Sequence, residues 1–249
     1  MTKPTLALQV YSVRDVYLED KAATLEKIAK AGYDAVELCF DRDTPANEMR
    51  AALESSGLTV AGYHTGWDAL DDEHFDSTVE YNRAIGNRYI IVPGLPESMI
   101  CSTDAWKRTC ELFTVMNEKL KKEGMRFGYH SHGADHKCFE DGNYGWKLFG
   151  EGTPNDVVMQ IDTGNCMAAG FDPLKEYARW AHRGATVHFK PYSKAEGYKP
   201  VIGRDDIDWD KAVWIAKSCG VCEYIIVEYE CLGGFEGVTA CAAELRKRI

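Results

Sequence analysis

Thr5-Leu6-Ala7-Leu8-Gln9-Val10-Tyr11-Ser12-Val13-Arg14 begins as an apolar, strand-like run and leaves it without a single glycine. An open, doubly wound sheet built for a dinucleotide needs Gly-x-Gly-x-x-Gly at that point. Those glycines make the tight turn and let the backbone approach the pyrophosphate. The rest of the chain repeats the same alternation of short runs and amphipathic stretches. Runs rich in β-branched or aromatic residues fall at 5–10, 35–38, 59–64, 89–92, 126–130, 157–161, 185–189 and 223–228. Helical periodicity occupies 21–31, 47–56, 77–85, 103–122, 173–180, 209–218 and 239–248, with its weakest signal at 144–149. In the first of these Ala22, Leu25, Ile28 and Ala29 share a face, Asp20 stands at the N-cap and Gly32 at the stop. Eight strand-then-helix units with no glycine-rich first turn predict an α/β protein, a single closed (β/α)8 barrel over 1–249. No linker composition or low-complexity tract suggests a second domain.

The chain has 249 residues, 39 acidic against 29 basic, and a formal net charge of −10. That balance excludes a protein that grips nucleic acid by its phosphates, which needs clustered Lys and Arg; the longest basic cluster is Arg246-Lys247-Arg248. The first ten residues lack the pattern of a secretory signal, and no apolar stretch reaches membrane-spanning length, so a cytoplasmic protein without a membrane partner is expected. Nine scattered cysteines, with Cys219 and Cys222 as the one C-x-x-C pair, suit reduced thiols better than a disulfide framework or a zinc ribbon.

In a closed barrel the chemistry sits at the carboxyl ends of the strands. Read in order, those ends carry Gln9, Glu37, His64, Pro93-Gly94, His130 with His132, Asp162, His188 with Lys190, and Glu228 with Glu230. Residues two apart on a strand point the same way, so each of the last pairs projects together. Burying such pairs costs desolvation energy unless a cation or a partner compensates, and one divalent ion satisfies several at once. The expected ligands are Asp162, His188, Glu228 and one histidine of His130-Ser131-His132, taken as His132. This mixed oxygen and nitrogen set suits manganese, zinc, cobalt or iron better than calcium. Gln9, Glu37 and His64 are expected to touch substrate. Among Tyr63, Trp67, Tyr129, Trp146 and Phe171, which by general tendency are core, Trp67 alone lies just past a strand end and is expected to face a sugar. His74 and His182 read as surface residues.

At these residues the chain resembles the sugar phosphate isomerase/epimerase family, the xylose isomerase-like TIM barrels that also include the endonuclease IV family. The resemblance rests on 6–14, Gly32-Tyr33-Asp34-Ala35-Val36-Glu37, Gly128-Tyr129-His130-Ser131-His132, Gln160-Ile161-Asp162-Thr163-Gly164-Asn165, Val187-His188-Phe189-Lys190 and Ile226-Val227-Glu228-Tyr229-Glu230. It implies one divalent metal (manganese, zinc, cobalt or magnesium) held by the last four strands, with Asp162, His188 and Glu228 as ligands. Many relatives place a glutamate on the fifth strand, where this chain offers His130, His132 or Asp135. Relatives often carry Gly-Glu-Gly where this chain has Gly203-Arg204-Asp205, which puts Arg204 at the expected pocket rim.

The implied activity is a sugar isomerase or epimerase that removes a proton next to a carbonyl. Lys190 would add positive charge, and Glu230 or the histidine not bound to metal, taken as His130, would be the base. Two alternatives use the same residues: a 3-keto-glycoside lyase or hydrolase, and a barrel that binds sugar without turnover. The substrate is a small carbohydrate. The 233–237 Gly-Gly-Phe-Glu-Gly loop leaves room for a phosphate, and monomer and homo-oligomer both remain open.

Overall fold

The computed structural model describes residues 3–40, 43–231 and 235–249. Eight parallel strands, β1 (Thr5–Gln9), β2 (Ala35–Leu38), β3 (Thr59–His64), β4 (Tyr89–Val92), β5 (Arg126–His130), β6 (Val158–Gln160), β7 (Thr186–Phe189) and β8 (Tyr224–Val227), lie in the order β6-β5-β4-β3-β2-β1-β8-β7. The two ends of that series meet: the His188 N–H donates to the Ile161 carbonyl at 2.9 Å, and Asp162 bridges to His188 in parallel register. The barrel therefore closes through two of the expected ligand positions.

Alternation along the strands sorts the side chains. Outward residues such as Leu6, Leu8, Val36 and Leu38 join one large core beneath the helices. The interior is filled in layers, as the closed geometry demands. Ala7, Ala35, Ala61 and Ile226 pack as one small cluster, and Tyr89, Ile91, Val158 and Ala185 as another.

The surrounding helices are α1 (Arg14–Glu19), α2 (Lys21–Lys30), α3 (Ala46–Ser56), α4 (Phe75–Ala84), α5 (Glu97–Ile100), α6 (Thr103–Lys122), α7 (Gly145–Gly152), α8 (Thr163–Ala168), α9 (Pro173–Trp180), α10 (Trp209–Ser218) and α11 (Phe235–Arg246). Side-chain caps start several of them. Asp20 accepts from the Ala23 N–H at 2.9 Å, Ser102 from Ala105 at 3.2 Å and Asp208 from Lys211 at 3.0 Å, each such cap contributing about 1 kcal/mol. Helix α7, faint in the sequence, owes its weak signal to Gly145 and Gly150. A Cβ there would stand 2.5 Å from the Trp106 ring and 2.4 Å from the Trp180 ring, so packing requires the residues that lower helix propensity. Helix α11 starts at Phe235, four residues ahead of the expected 239, and the short helices α1, α5 and α8 sit in loops that periodicity leaves blank. None of the nine cysteines forms a disulfide. Among the described residues no helix is long and apolar enough to cross a membrane.

Candidate active site

Above the apolar interior layers lies a layer of hydrogen-bonded polar side chains, and Glu37 is its hub. Its Oε2 accepts from Gln9 Nε2 at 2.7 Å and lies 2.6 Å from His188 Nε2 and 2.9 Å from His64 Nε2; its Oε1 accepts from Gln160 Nε2 at 2.8 Å. Burial alone would raise the Glu37 pKa, but His64 and His188 hold it well below the usual carboxylate range. An ionised carboxylate only accepts, which fixes the direction of the network. The Gln160 amide nitrogen must donate to Glu37, and it also reaches Thr186 Oγ1 at 2.9 Å, so its carbonyl oxygen faces His130 Nδ1 at 2.9 Å and His64 Nε2 at 3.0 Å. Both of those nitrogens therefore carry the proton. His130 is left with an unprotonated Nε2. His64 is left with Nδ1 as an acceptor, 3.2 Å from the Gln9 amide.

On this layer stands a donor cluster. One ligand atom each of His130, Asp162, His188 and Glu228, all four residues buried, lie within 4.8 Å of one another. Asp162 Oδ1 is occupied, accepting from the Asn165 N–H at 2.7 Å at the start of α8, whereas Oδ2 is buried with no hydrogen-bond partner. A buried carboxylate oxygen without a donor is costly, and burial pushes the Asp162 pKa upward. Burial also lowers the His130 pKa, with His188 and His64 adding to the effect, so its ring is neutral and able to coordinate. His188 behaves oppositely. Burial would lower it, but Glu37 on Nε2 and Glu228 on Nδ1, 2.7 Å away, lift it to about 10. The orphaned oxygen, the neutral imidazole and a His188 whose far nitrogen donates to a buried carboxylate fit a divalent cation.

The structure gathers some expected residues and separates others. His130, not His132, joins the cluster: His130 ends β5 inside the barrel, while His132 is already in the loop and exposed. Asp135 is enclosed, accepting from Tyr129 Oη at 3.1 Å and the His132 N–H at 2.7 Å. A cavity of about 690 Å³ opens above the cluster, lined by Gln9, His64, His130, His132, Glu228 and Glu230 among others. Glu37, expected to touch substrate, does not line it; its side chain is wholly buried under the network, 2.6 Å from His188 Nε2. Trp67 does not line it either. The chain enters a 3-10 turn after β3 and drops the indole onto Phe113, centroids 5.0 Å apart. Lys190 is buried beside the cluster, 2.6 Å from Glu230, 3.2 Å from Glu228 and 3.9 Å from Asp162. Arg204 lines a separate depression with Gly203 and Glu244. In the 233–237 loop, Gly233 and Gly234 lie outside the described residues. His74 and His182 are exposed as expected.

Gln160 and Thr186, which complete the network, escape the sequence reading; each lies two residues before an expected ligand and so shares its inward face. Tyr11 and Phe40 at the cavity mouth also escape it, because neither lies on a strand.

Comparison with known proteins adds a family to this geometry. The chain is 27% identical over 222 residues to the inosose dehydratase of Geobacillus kaustophilus (strain HTA426), covering 80% of this chain and 70% of that protein. Two solved sugar phosphate isomerase/epimerase structures from Parabacteroides distasonis ATCC 8503 superpose with a TM-score of 0.83, at 21% and 23% identity; each alignment covers 98% of this chain, and 98% and 94% of theirs. These relatives are named as a dehydratase and as isomerase/epimerases. The family model described as xylose isomerase-like TIM barrel matches residues 25–247, and the chain belongs to that family.

Proposed function

We propose that the chain is a divalent-metal-dependent enzyme that removes a proton from the carbon next to a carbonyl of a sugar or keto-sugar, as an isomerase or epimerase does. One observation carries this reading: four donors from the ends of four consecutive strands converge under a cavity, and one of them, Asp162, has a buried oxygen with no hydrogen-bond partner. A cation held by His130, Asp162, His188 and Glu228 would supply Lewis acidity toward the substrate carbonyl and a neighbouring hydroxyl.

The chain's own groups account for the proton. Glu230 lines the cavity with its side chain about a third exposed, and Lys190 holds it at 2.6 Å. A carboxylate aimed by an ammonium group suits removal of a carbon-bound proton. Burial opposes the charge on Lys190, but Glu228, Asp162 and Glu230 overcome it and raise its pKa, so Lys190 acts as a fixed charge and not as a base. With His130 in the donor cluster, the base role expected of it passes to His132, which lines the same cavity.

A second reading, elimination of water, is favoured by the 27% identity to an inosose dehydratase and by a histidine, His130, in the donor cluster at the fifth-strand position where the resemblance implies a glutamate in many relatives. In that reaction the C–H bond next to the carbonyl breaks, a C=C bond forms, and the hydroxyl on the following carbon leaves as water with a proton from the enzyme. Deuterium wash-in from heavy water, followed by NMR on ketoses, inososes and 3-keto-glycosides with manganese present, tests both. Exchange at the carbon next to the carbonyl, abolished by chelator, is the expected result, and loss of water distinguishes the second reading. No exchange on any carbonyl compound by the metal-loaded protein overturns the proposal.

A further inference from the structure

Tyr11 and Phe40 form an aromatic pair at the mouth of the cavity, with centroids 5.7 Å apart and ring planes inclined by 39°. Arg14 backs the pair, its guanidinium carbon 4.0 Å from the Tyr11 centroid, which fixes that ring. Phe40 is 51% exposed, and its φ of 69° makes it the one non-glycine residue in the left-handed region among the described residues. A bulky residue in that region is strained, and here burial does not compensate. Such strain persists where the ring's position serves a purpose.

The polar lining adds a second, independent constraint. The charged residues lining the cavity, among those described, are Asp43, Glu228 and Glu230, with neither Lys nor Arg. Lys190 is committed to Glu228 and Glu230. A phosphate ester would bring further negative charge against these carboxylates, and among the described residues no lining Lys or Arg receives it. The volume of about 690 Å³ falls in the upper part of the range of about 300–1,000 Å³ usual for drug-sized ligands and exceeds what one monosaccharide fills.

We infer that the cavity takes an uncharged glycoside, its reacting sugar ring over the donor cluster and the flat apolar face of its aglycone against Tyr11 and Phe40. The placement of the reacting ring rests on the proposed sugar chemistry; the distal subsite does not, and binding alone tests it. The aglycone is either an aromatic ring or the apolar face of a second sugar, and the probes distinguish the two.

Calorimetric titration of the manganese-loaded protein with methyl β-glucoside, phenyl β-glucoside, cellobiose, glucose and glucose 6-phosphate reads the subsite directly. The phenyl glucoside, cellobiose or both should bind about 10-fold more tightly than the methyl glucoside, a gain within reach of one well-placed ring contact. Glucose 6-phosphate should bind more weakly than glucose. Phe40→Ala should reduce the preference to within about 2-fold, Phe40→Trp should keep it, and Phe40→Gly should lose it while raising the thermal midpoint by relieving the backbone. Equal affinities for all probes, tighter binding of the phosphate ester, or a preference that survives Phe40→Ala would overturn the inference. Should the preference appear without deuterium exchange on any keto-sugar, the subsite stands and the proposed reaction falls. Exchange without the preference leaves the reaction standing and removes the subsite.

Discussion

The lower and upper halves of the barrel interior are built from the same strands by opposite rules. The lower half is filled by Ala7, Ala35, Ala61, Ile91, Val158, Ala185 and Ile226, with Tyr89 and Tyr224 meeting edge to face at its floor, centroids 6.1 Å apart. Arg126 caps that floor, lying 5.1 Å over the Tyr89 ring and donating to its hydroxyl at 2.8 Å, and Glu223 neutralises it from the surface. The upper half, two or three residues further along the strands, replaces methyl groups with Gln9, Glu37, His64, Gln160, His188 and the donor cluster. Apolar filling stabilises through contact and tolerates small adjustments. The polar layer is stable only when every donor meets an acceptor, and it leaves one acceptor, Asp162 Oδ2, unmet. Stability is concentrated below and the capacity for chemistry above.

That contrast can be broken most sharply at Asp162. Asp162→Ala should lower metal affinity and turnover on the order of 10³-fold or more, while the metal-free protein loses only about 1 kcal/mol of stability with the cap on the Asn165 N–H; metal analysis and calorimetry on one preparation check both. Ile91→Ala in the lower half should do the reverse. A cavity in the apolar layer should cost about 2–5 kcal/mol in denaturant unfolding and leave kcat per folded molecule nearly unchanged.

Glu37→Gln lies between the two halves in effect. It keeps the shape but removes the negative charge facing the His188 Nε2 proton and sets a new amide N–H against that of Gln9 or Gln160, so metal affinity should fall about 10–100-fold in a competition titration. An equal affinity would remove the positioning role given to Glu37.

The smallest expected effect concerns His136, a buried histidine outside the polar layer, with neither ring nitrogen hydrogen-bonded among the described residues. Burial lowers its pKa to about 4, opposite to His188 with its two carboxylates. The unfolded chain protonates near pH 6.5 and the folded chain does not until about pH 4, so this contribution to stability is complete above pH 6.5 and is lost as the pH falls toward 4. His136→Phe should reduce the stability lost between pH 7 and pH 5 by about 2 kcal/mol in unfolding titrations. An unchanged pH profile would show that the ring is partnered in solution.

Much of this arrangement is legible in the sequence because a parallel strand buried on both sides is short, apolar and bounded by turn residues, and its end is where polar residues begin. That rule places Asp162, His188 and Glu228 together before any coordinates. It does not choose between His130 and His132, since both lie on one face by alternation. The choice depends on where β5 stops and on the Gln160 carbonyl that holds His130, a contact 30 residues away in sequence. The same rule misreads Trp67, whose direction is set by the 3-10 turn after β3, and misses Phe40, whose positive φ belongs to a loop and leaves no periodic trace. Gln160 and Thr186 come within its reach once the inward face is followed further down each strand, two residues back from Asp162 and His188.

The claim beneath all of this is that His130, Asp162, His188 and Glu228 jointly hold one divalent cation. Anomalous scattering from a manganese-soaked crystal, collected at the manganese edge, tests it directly. The account predicts one strong peak within about 2.0–2.3 Å of a nitrogen or oxygen from each of the four residues, with Asp162 Oδ2 among them. A map with no peak there, or with its peak between His132 and Glu230, would contradict it.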